Sequence, residues 1–141
     1  MKAAASEFRP GLVLWLDQQM LMEDPTVQET FPQRYGTVRP FVCVAVTGDQ
    51  STWTPLTGQH RDERMPIERE WRSGGELPWR VGETYLNDGA NTYTGPNSSF
   101  VAANGTERTL PTKRARISDV GVEAVRAEIG RQRHRCQRNA S

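Results

Sequence analysis

The chain has 141 residues and a mass of 15.9 kDa, enough for one domain and too little for two well-cored ones. Hydrophobic residues make up 35% and mean hydropathy is −0.70, which predicts a modest core and many loops. No apolar run approaches the ~20 residues that cross a bilayer, and the opening MKAAASEFRP lacks the apolar stretch of a secretory signal.

The formal net charge of +1 hides a split: residues 112–141 carry 8 basic and 3 acidic side chains, a net of +5, and the rest of the chain is net −4. Such asymmetry permits an anionic partner at the C-terminal end, or a basic tail that is simply solvated. The two cysteines, Cys43 in an apolar run and Cys136 in the basic stretch, predict neither a disulfide framework nor a Cys-rich zinc site. The reducing cytosol is the expected compartment.

Along the chain, residues 1–10 read as a flexible leader ended by Pro10 and Gly11. Residues 11–17, GLVLWLD, suit a buried strand, although seven residues do not exclude a short helix. Residues 18–37 form a long connection of the kind that is often functional. The best strand is Val38–Thr47, apolar on both faces, with Pro40 near its start because proline has no N–H for a ladder. A turn at Gly48-Asp49 leads into a strand over 51–57, which predicts an antiparallel hairpin. Residues 65–68, 81–86 and 99–103 are further strand candidates, Ser73-Gly74-Gly75 a turn, and NDGANTYTGPNSS a run of turn formers. The one convincing helix starts at the N-cap candidate Ser118, with Ile117, Val120, Ala124, Val125 and Ile129 at near-helical spacing. Gly130 is its expected cap, leaving residues 131–141 as a frayed basic tail. The expected fold is mostly β: a small antiparallel barrel or half-barrel over 11–130 with a C-terminal α-helix.

The strong catalytic signatures are missing: no Walker loop, no HExxH, no CxxC and no GxSxG. With only His60 and His134, no metal site and no cofactor is expected. Arg39 and Thr57 remain. If 38–47 and 51–57 pair around residues 48–50, both lie at the open end of the ladder. There a guanidinium fork and a hydroxyl can hold a phosphodiester and stabilise charge that gathers on it. The bland reading is an edge arginine and a threonine closing a turn.

The order of the pieces adds to this: GLVLWLD at 11–17, Val38-Arg39-Pro40-Phe-Val-Cys-Val44, Thr54-Pro55-Leu56-Thr57-Gly58-Gln59, then Arg114-Ala-Arg116-Ile117-Ser118 leading into a helix. This resembles the PemK/MazF-like family of bacterial toxins, SH3-like barrels related in fold to the gyrase poison CcdB. The chain departs from the family's pattern at Leu12, at Gly58 and across 85–103. The resemblance implies an SH3-like barrel and metal-independent cleavage of single-stranded RNA through attack of the ribose 2′-OH, with Arg39 and Thr57 catalytic. It also implies a homodimer held in check by an acidic antitoxin protein. Gln59 and His60 are further catalytic or RNA-binding candidates, since imidazole exchanges protons near neutral pH. Trp71, Arg72, Trp79 and Arg80 offer stacking and phosphate contacts, and Asn87 and Asn91 offer groups for base edges. The alternatives are a non-catalytic SH3-like binding module, or a gyrase inhibitor of the CcdB type.

Overall fold

In the computed structural model, which describes residues 2–30, 38–87, 90–105 and 107–140, the elements run β1 (Val13–Asp17), α1 (Gln18–Glu23), β2 (Gln28–Thr30), β3 (Val38–Thr47), β4 (Gln50–Thr57), β5 (Arg72–Ser73), α2 (Leu77–Val81), β6 (Tyr85–Leu86), β7 (Thr92–Pro96), α3 (Asn97–Ala103), β8 (Arg116–Ile117) and α4 (Asp119–Ala140). Six strands form one antiparallel sheet in the order β1-β3-β4-β7-β2, with β6 alongside the end of β4. β5 and β8 pair separately.

β3 has the bounds its apolar run predicts, and β4 begins one residue earlier than expected. Thr47 faces Gln50 around a two-residue loop in which Gly48 has φ +63°, the glycine-first turn that suits the twist of a hairpin. A bulge leaves Val44 without a ladder partner, and the Arg126 guanidinium donates to the Val44 carbonyl.

Both faces of the sheet are covered. On one, Leu12, Leu14, Leu16, Phe41, Cys43, Trp53 and Tyr93 pack with Leu21 of α1 and with Phe100 and Ala103 of α3. On the other, Val13, Val42, Val44, Leu56 and Leu86 pack with Val122, Val125 and Ile129 of α4. This double burial explains why β1 and β3 read as continuous apolar runs. The outer edge of β1 is closed by the Glu107 carboxylate, which accepts from the Trp15 N–H at 3.0 Å, and by the Asn104 amide, which donates to the Trp15 carbonyl at 3.1 Å.

The architecture is therefore mixed α/β rather than mostly β. Among the described residues the strand path ends at β1 and β2, and no pairing between them closes a barrel. Part of the long connection is structured. The Asp17 carboxylate accepts from the Gln19 and Met20 N–H groups and caps α1 directly after β1, and β2 follows. Residues 31–37 lie outside the described set. Ser99–Ala103 is helical, because Phe100 and Ala103 dock on one face at i, i+3 spacing and that burial outweighs strand preference. The run of turn formers conceals β7, whose Tyr93 is fully buried. Of the stretch 81–86 only Tyr85 and Leu86 are extended in a ladder, and at 65–68 there is one isolated bridge, Pro66 to Tyr85.

Both chain ends are more ordered than expected. The leader docks through buried Ala3 and Phe8, the Ala3 N–H donating to the Asn104 side chain at 3.0 Å and Glu7 pairing with buried Arg114 at 3.0 Å. α4 starts where Ser118 Oγ accepts from the Gly121 N–H, and it continues through Gly130 to Ala140. Contacts beyond the glycine offset its intrinsic cost of ~1 kcal/mol: Gln132 accepts from the Ala90 N–H at 2.7 Å, and Arg133 donates to Thr92 Oγ1 at 2.9 Å.

Candidate functional site

The β3–β4 ladder ends at Phe41 opposite Pro55. Two residues further out on each strand are Arg39 and Thr57, positions that the same register sets opposite each other. There the strands part company: Arg39 lies across from Leu16 on β1, and Thr57 across from Tyr85 on β6. Strand alternation puts both on the face that carries Phe41 and Trp53, and each is half-buried.

Beyond Thr57 the chain folds back on itself. Thr57 Oγ1 accepts the Gln59 N–H at 3.2 Å, an arrangement that uses an oxygen lone pair and leaves the hydroxyl hydrogen to donate elsewhere. His60 stands edge-on to Tyr85, with ring centroids 5.4 Å apart at 71°. Arg64, only 5% exposed, donates to the Gln59 carbonyl at 2.8 Å and fixes the 59–64 loop. Burial raises the Tyr85 phenol above its ordinary range, and the charge and hydrogen bond of Glu83 add to the effect. Tyr85 is thus neutral at pH 7, its hydroxyl hydrogen engaged by the Glu83 carboxylate. Beyond β4 the loop thus collects the Thr57 hydroxyl, the His60 imidazole, the Arg64 guanidinium and the Tyr85 phenol with its Glu83 partner, while Arg39 stands at the register-equivalent end of β3. Of these groups, the Arg39 guanidinium and the Thr57 hydroxyl are the kinds that can hold a phosphate gaining charge during transfer.

The other candidates are placed differently. Trp79 is buried, its indole N–H donating to the Ser73 carbonyl at 3.1 Å. The Arg72 guanidinium donates to the carbonyls of Trp79 at 2.7 Å and Gly82 at 2.6 Å, and lies 5.7 Å over the Trp79 ring. Burial, then the charge of Arg69, lowers its pKa. These two residues close the 72–84 loop from inside. Trp71 is half-buried against the α4 side of the core, so close to Gly121 that an added Cβ there would lie 2.9 Å from Trp71 Cβ. Arg80, Gln59 and His60 are exposed. Asn87 and Asn91 are buried. Asn91 donates to the Thr30 carbonyl at 3.2 Å and its own carbonyl accepts from Thr54 at 2.8 Å, while the Asn87 N–H donates to the Pro55 carbonyl. These asparagines serve the sheet, not the surface.

The chain matches no family model, no curated protein and no solved structure. Function therefore has to be argued from the site. Among the described residues no group of His, Cys, Asp or Glu is arranged to hold a metal ion, and no helix is long and apolar enough to cross a membrane. Sequence reasoning missed Arg64 and Tyr85. Arg64 stands in a polar stretch without a motif, and Tyr85 reaches the site only because β6 pairs with the last residues of β4. A separate cleft of about 350 Å³ lies on the other side of β3, walled by Trp15, Val38, Pro78 and Trp79 with Glu76 and Arg108 at its rim.

Proposed function

We propose that the chain is a metal-independent endoribonuclease toxin of the PemK/MazF type, acting on single-stranded RNA. The observation that carries this reading is the placement of Arg39 and Thr57 at register-equivalent positions on one sheet face, just beyond the last ladder pair. In this reaction the ribose 2′-OH attacks the adjacent phosphorus. An O2′–P bond forms, the P–O5′ bond breaks, and a 2′,3′-cyclic phosphate and a 5′-OH end result. Arg39 stabilises the charge on the phosphorane oxygens and Thr57 donates to one of them. His60 takes the 2′-OH proton, and solvent supplies the proton for the departing O5′. DNA lacks the nucleophile and is not cut. The reading treats the strand path from β1 to β2 as an SH3-like half-barrel. It places the protein in the cytoplasm as a homodimer restrained by an acidic antitoxin.

A second reading is supported by the inward turn of Trp79, Asn87 and Asn91, which leaves fewer side chains to read bases. It makes the chain a non-catalytic binding module or a gyrase inhibitor of the CcdB type. One experiment separates the two. The purified protein is incubated in EDTA with a long mixed-sequence RNA and with DNA of the same sequence, beside Arg39→Ala, and the product ends are mapped. Cleavage of RNA alone, with cyclic phosphate ends and a loss of about 10²–10³ in rate in the variant, is the expected result. Intact RNA with folded protein, or cutting by Arg39→Ala at the parental rate, refutes the endoribonuclease reading.

A further inference from the structure

We propose that the C-terminal half of α4, which packs on the sheet face opposite the Arg39–Thr57 site, is a second, sequence-independent contact for the phosphate backbone of single-stranded nucleic acid. It rests on the RNA-binding part of the reading above and not on cleavage.

Residues 129–140 contain Arg131, Arg133, Arg135 and Arg138 and no carboxylate, whereas all three acidic residues of the helix, Asp119, Glu123 and Glu128, precede them. The helix macrodipole favours cations only over the last turn, so it accounts for Arg138 but not for arginines two turns further in. The basic half is held in place. Buried Gln132 is bonded to the Ala90 N–H and to Glu128, at 2.7 and 3.1 Å, and Arg133 to Thr92 at 2.9 Å. With that face turned to the sheet, Arg131, His134 and Arg135 face solvent. Arg131 remains 62% exposed at its side chain while bonded to Glu128.

The anchor points set this row on the α4 side of the sheet, behind the β6 strand that borders the end of β4. Ala90 and Thr92 follow closely on Tyr85 and Leu86, which pair with Thr57 and Leu56. A row of exposed cations on an anchored helix suits an extended polyanion, which it can grip at several phosphates without reading bases. An isolated phosphate would gain nothing from such spacing.

The test is the salt dependence of binding. Fluorescein-labelled oligo-uridylate and oligo-thymidylate are titrated with full-length Arg39→Ala protein, so that RNA stays intact, and with the same protein carrying Arg131→Gln and Arg135→Gln. Glutamine keeps helix propensity, and circular dichroism confirms that α4 survives. Each lost phosphate contact removes about 0.7 from the slope of log K against log salt. The pair should therefore flatten the slope by about 1.4, weakening binding about tenfold at 0.15 M salt relative to 1 M, for RNA and DNA alike. Lysine at both positions should restore the slope. An unchanged slope with glutamine, or failure of lysine to restore it, overturns the proposal. So does binding of poly-glutamate with neither nucleic acid retained, which would assign the arm to an acidic protein. RNA that is held by the arm but never cut by the parent protein supports this inference and refutes the endoribonuclease reading, so the two failures are distinct.

Discussion

Replacing Phe8 by alanine tests whether the first residues belong to the core. Phe8 is 8% exposed, and its ring stands 5.1 Å from Trp53 at 75°, in the cluster that includes Phe100 and Leu14. Truncating a buried phenylalanine costs about 3–5 kcal/mol. Phe8 lies at the margin of its cluster, where the leader can settle into part of the vacated space, so about 3 kcal/mol is expected. That is a large share of the 5–15 kcal/mol that stabilises an ordinary domain. With a urea m-value of about 2 kcal/mol/M, the midpoint falls by about 1.5 M. Thermal unfolding moves down by about 9 °C. Urea titration followed by tryptophan emission reads the stability and also the loss of the edge contact on Trp53. Phe8→Leu should recover most of the deficit. A midpoint within about 0.3 M of the parent, with emission unshifted, would mean that residues 1–10 are a loose leader and that the packing argument fails.

The Glu7–Arg114 pair predicts an acid limb. Burial pushes the Glu7 carboxyl up, but hydrogen bonds from Arg114 and Ala4 and the Arg114 charge outweigh it, and the net shift is downward. A carboxyl lowered in the folded state stabilises above its unfolded pKa and loses that contribution as pH falls through the folded one. Unfolding free energy should therefore drop below about pH 4.3, and Glu7→Gln should flatten that limb; an unaltered limb would discount the pair. Burial raises the Cys43 thiol to about 12, so brief iodoacetamide treatment of folded protein should leave Cys43 unlabelled, whereas labelling at the rate seen in urea would contradict its burial. Gly74 has φ +63° and an added Cβ would run into the Arg114 carbonyl; Gly74→Ala should cost about 2–4 kcal/mol, the left-handed penalty plus the clash, and a loss in calorimetry below about 1 kcal/mol would refute the close approach.

The sequence made the β3–β4 hairpin legible because everything that specifies it is local: an apolar run, a glycine-first loop and a second β-rich run. The register-equivalent positions of Arg39 and Thr57 were legible for the same reason, since they follow from counting outward from the turn. Long-range partners were not. Tyr85 and Arg64 enter the site through β6 pairing and through a side chain that reaches back to Gln59, neither of which leaves a periodic trace. Asn87 and Asn91 look like loop residues in a run of turn formers, yet their backbone or amide groups satisfy carbonyls left open where β4 and β2 meet their neighbours. Gly130 misleads similarly. A glycine late in a helix signals a cap, and only the docking of Gln132 and Arg133 on the far side keeps the helix going.

The end of the hairpin is itself written in two prolines. Both backbone polar groups of Trp15 point outward to Glu107 and Asn104, so Trp15 and Pro40 form a non-hydrogen-bonded pair of the β1–β3 ladder, and the backbone of Pro40 faces β4. The next hydrogen-bonded pair of the β3–β4 ladder would be Pro40 with Leu56, and Pro40 has no N–H to give. The ladder therefore stops at Phe41–Pro55. Pro55 sits where the other flank of β4 exchanges β7 for β6, and its carbonyl accepts from Asn87 at a position where its missing N–H is not needed. One proline thus frees the strands to separate and the other lets β4 change neighbours. Arg39 stays fastened to β1, Thr57 to β6, and the space between their side chains is set by two rigid ladders instead of by a loop. On the endoribonuclease reading proposed above, strand ends fixed in this way would preorganise the two groups for the phosphorane, the condition under which such groups stabilise a transition state more than a ground state.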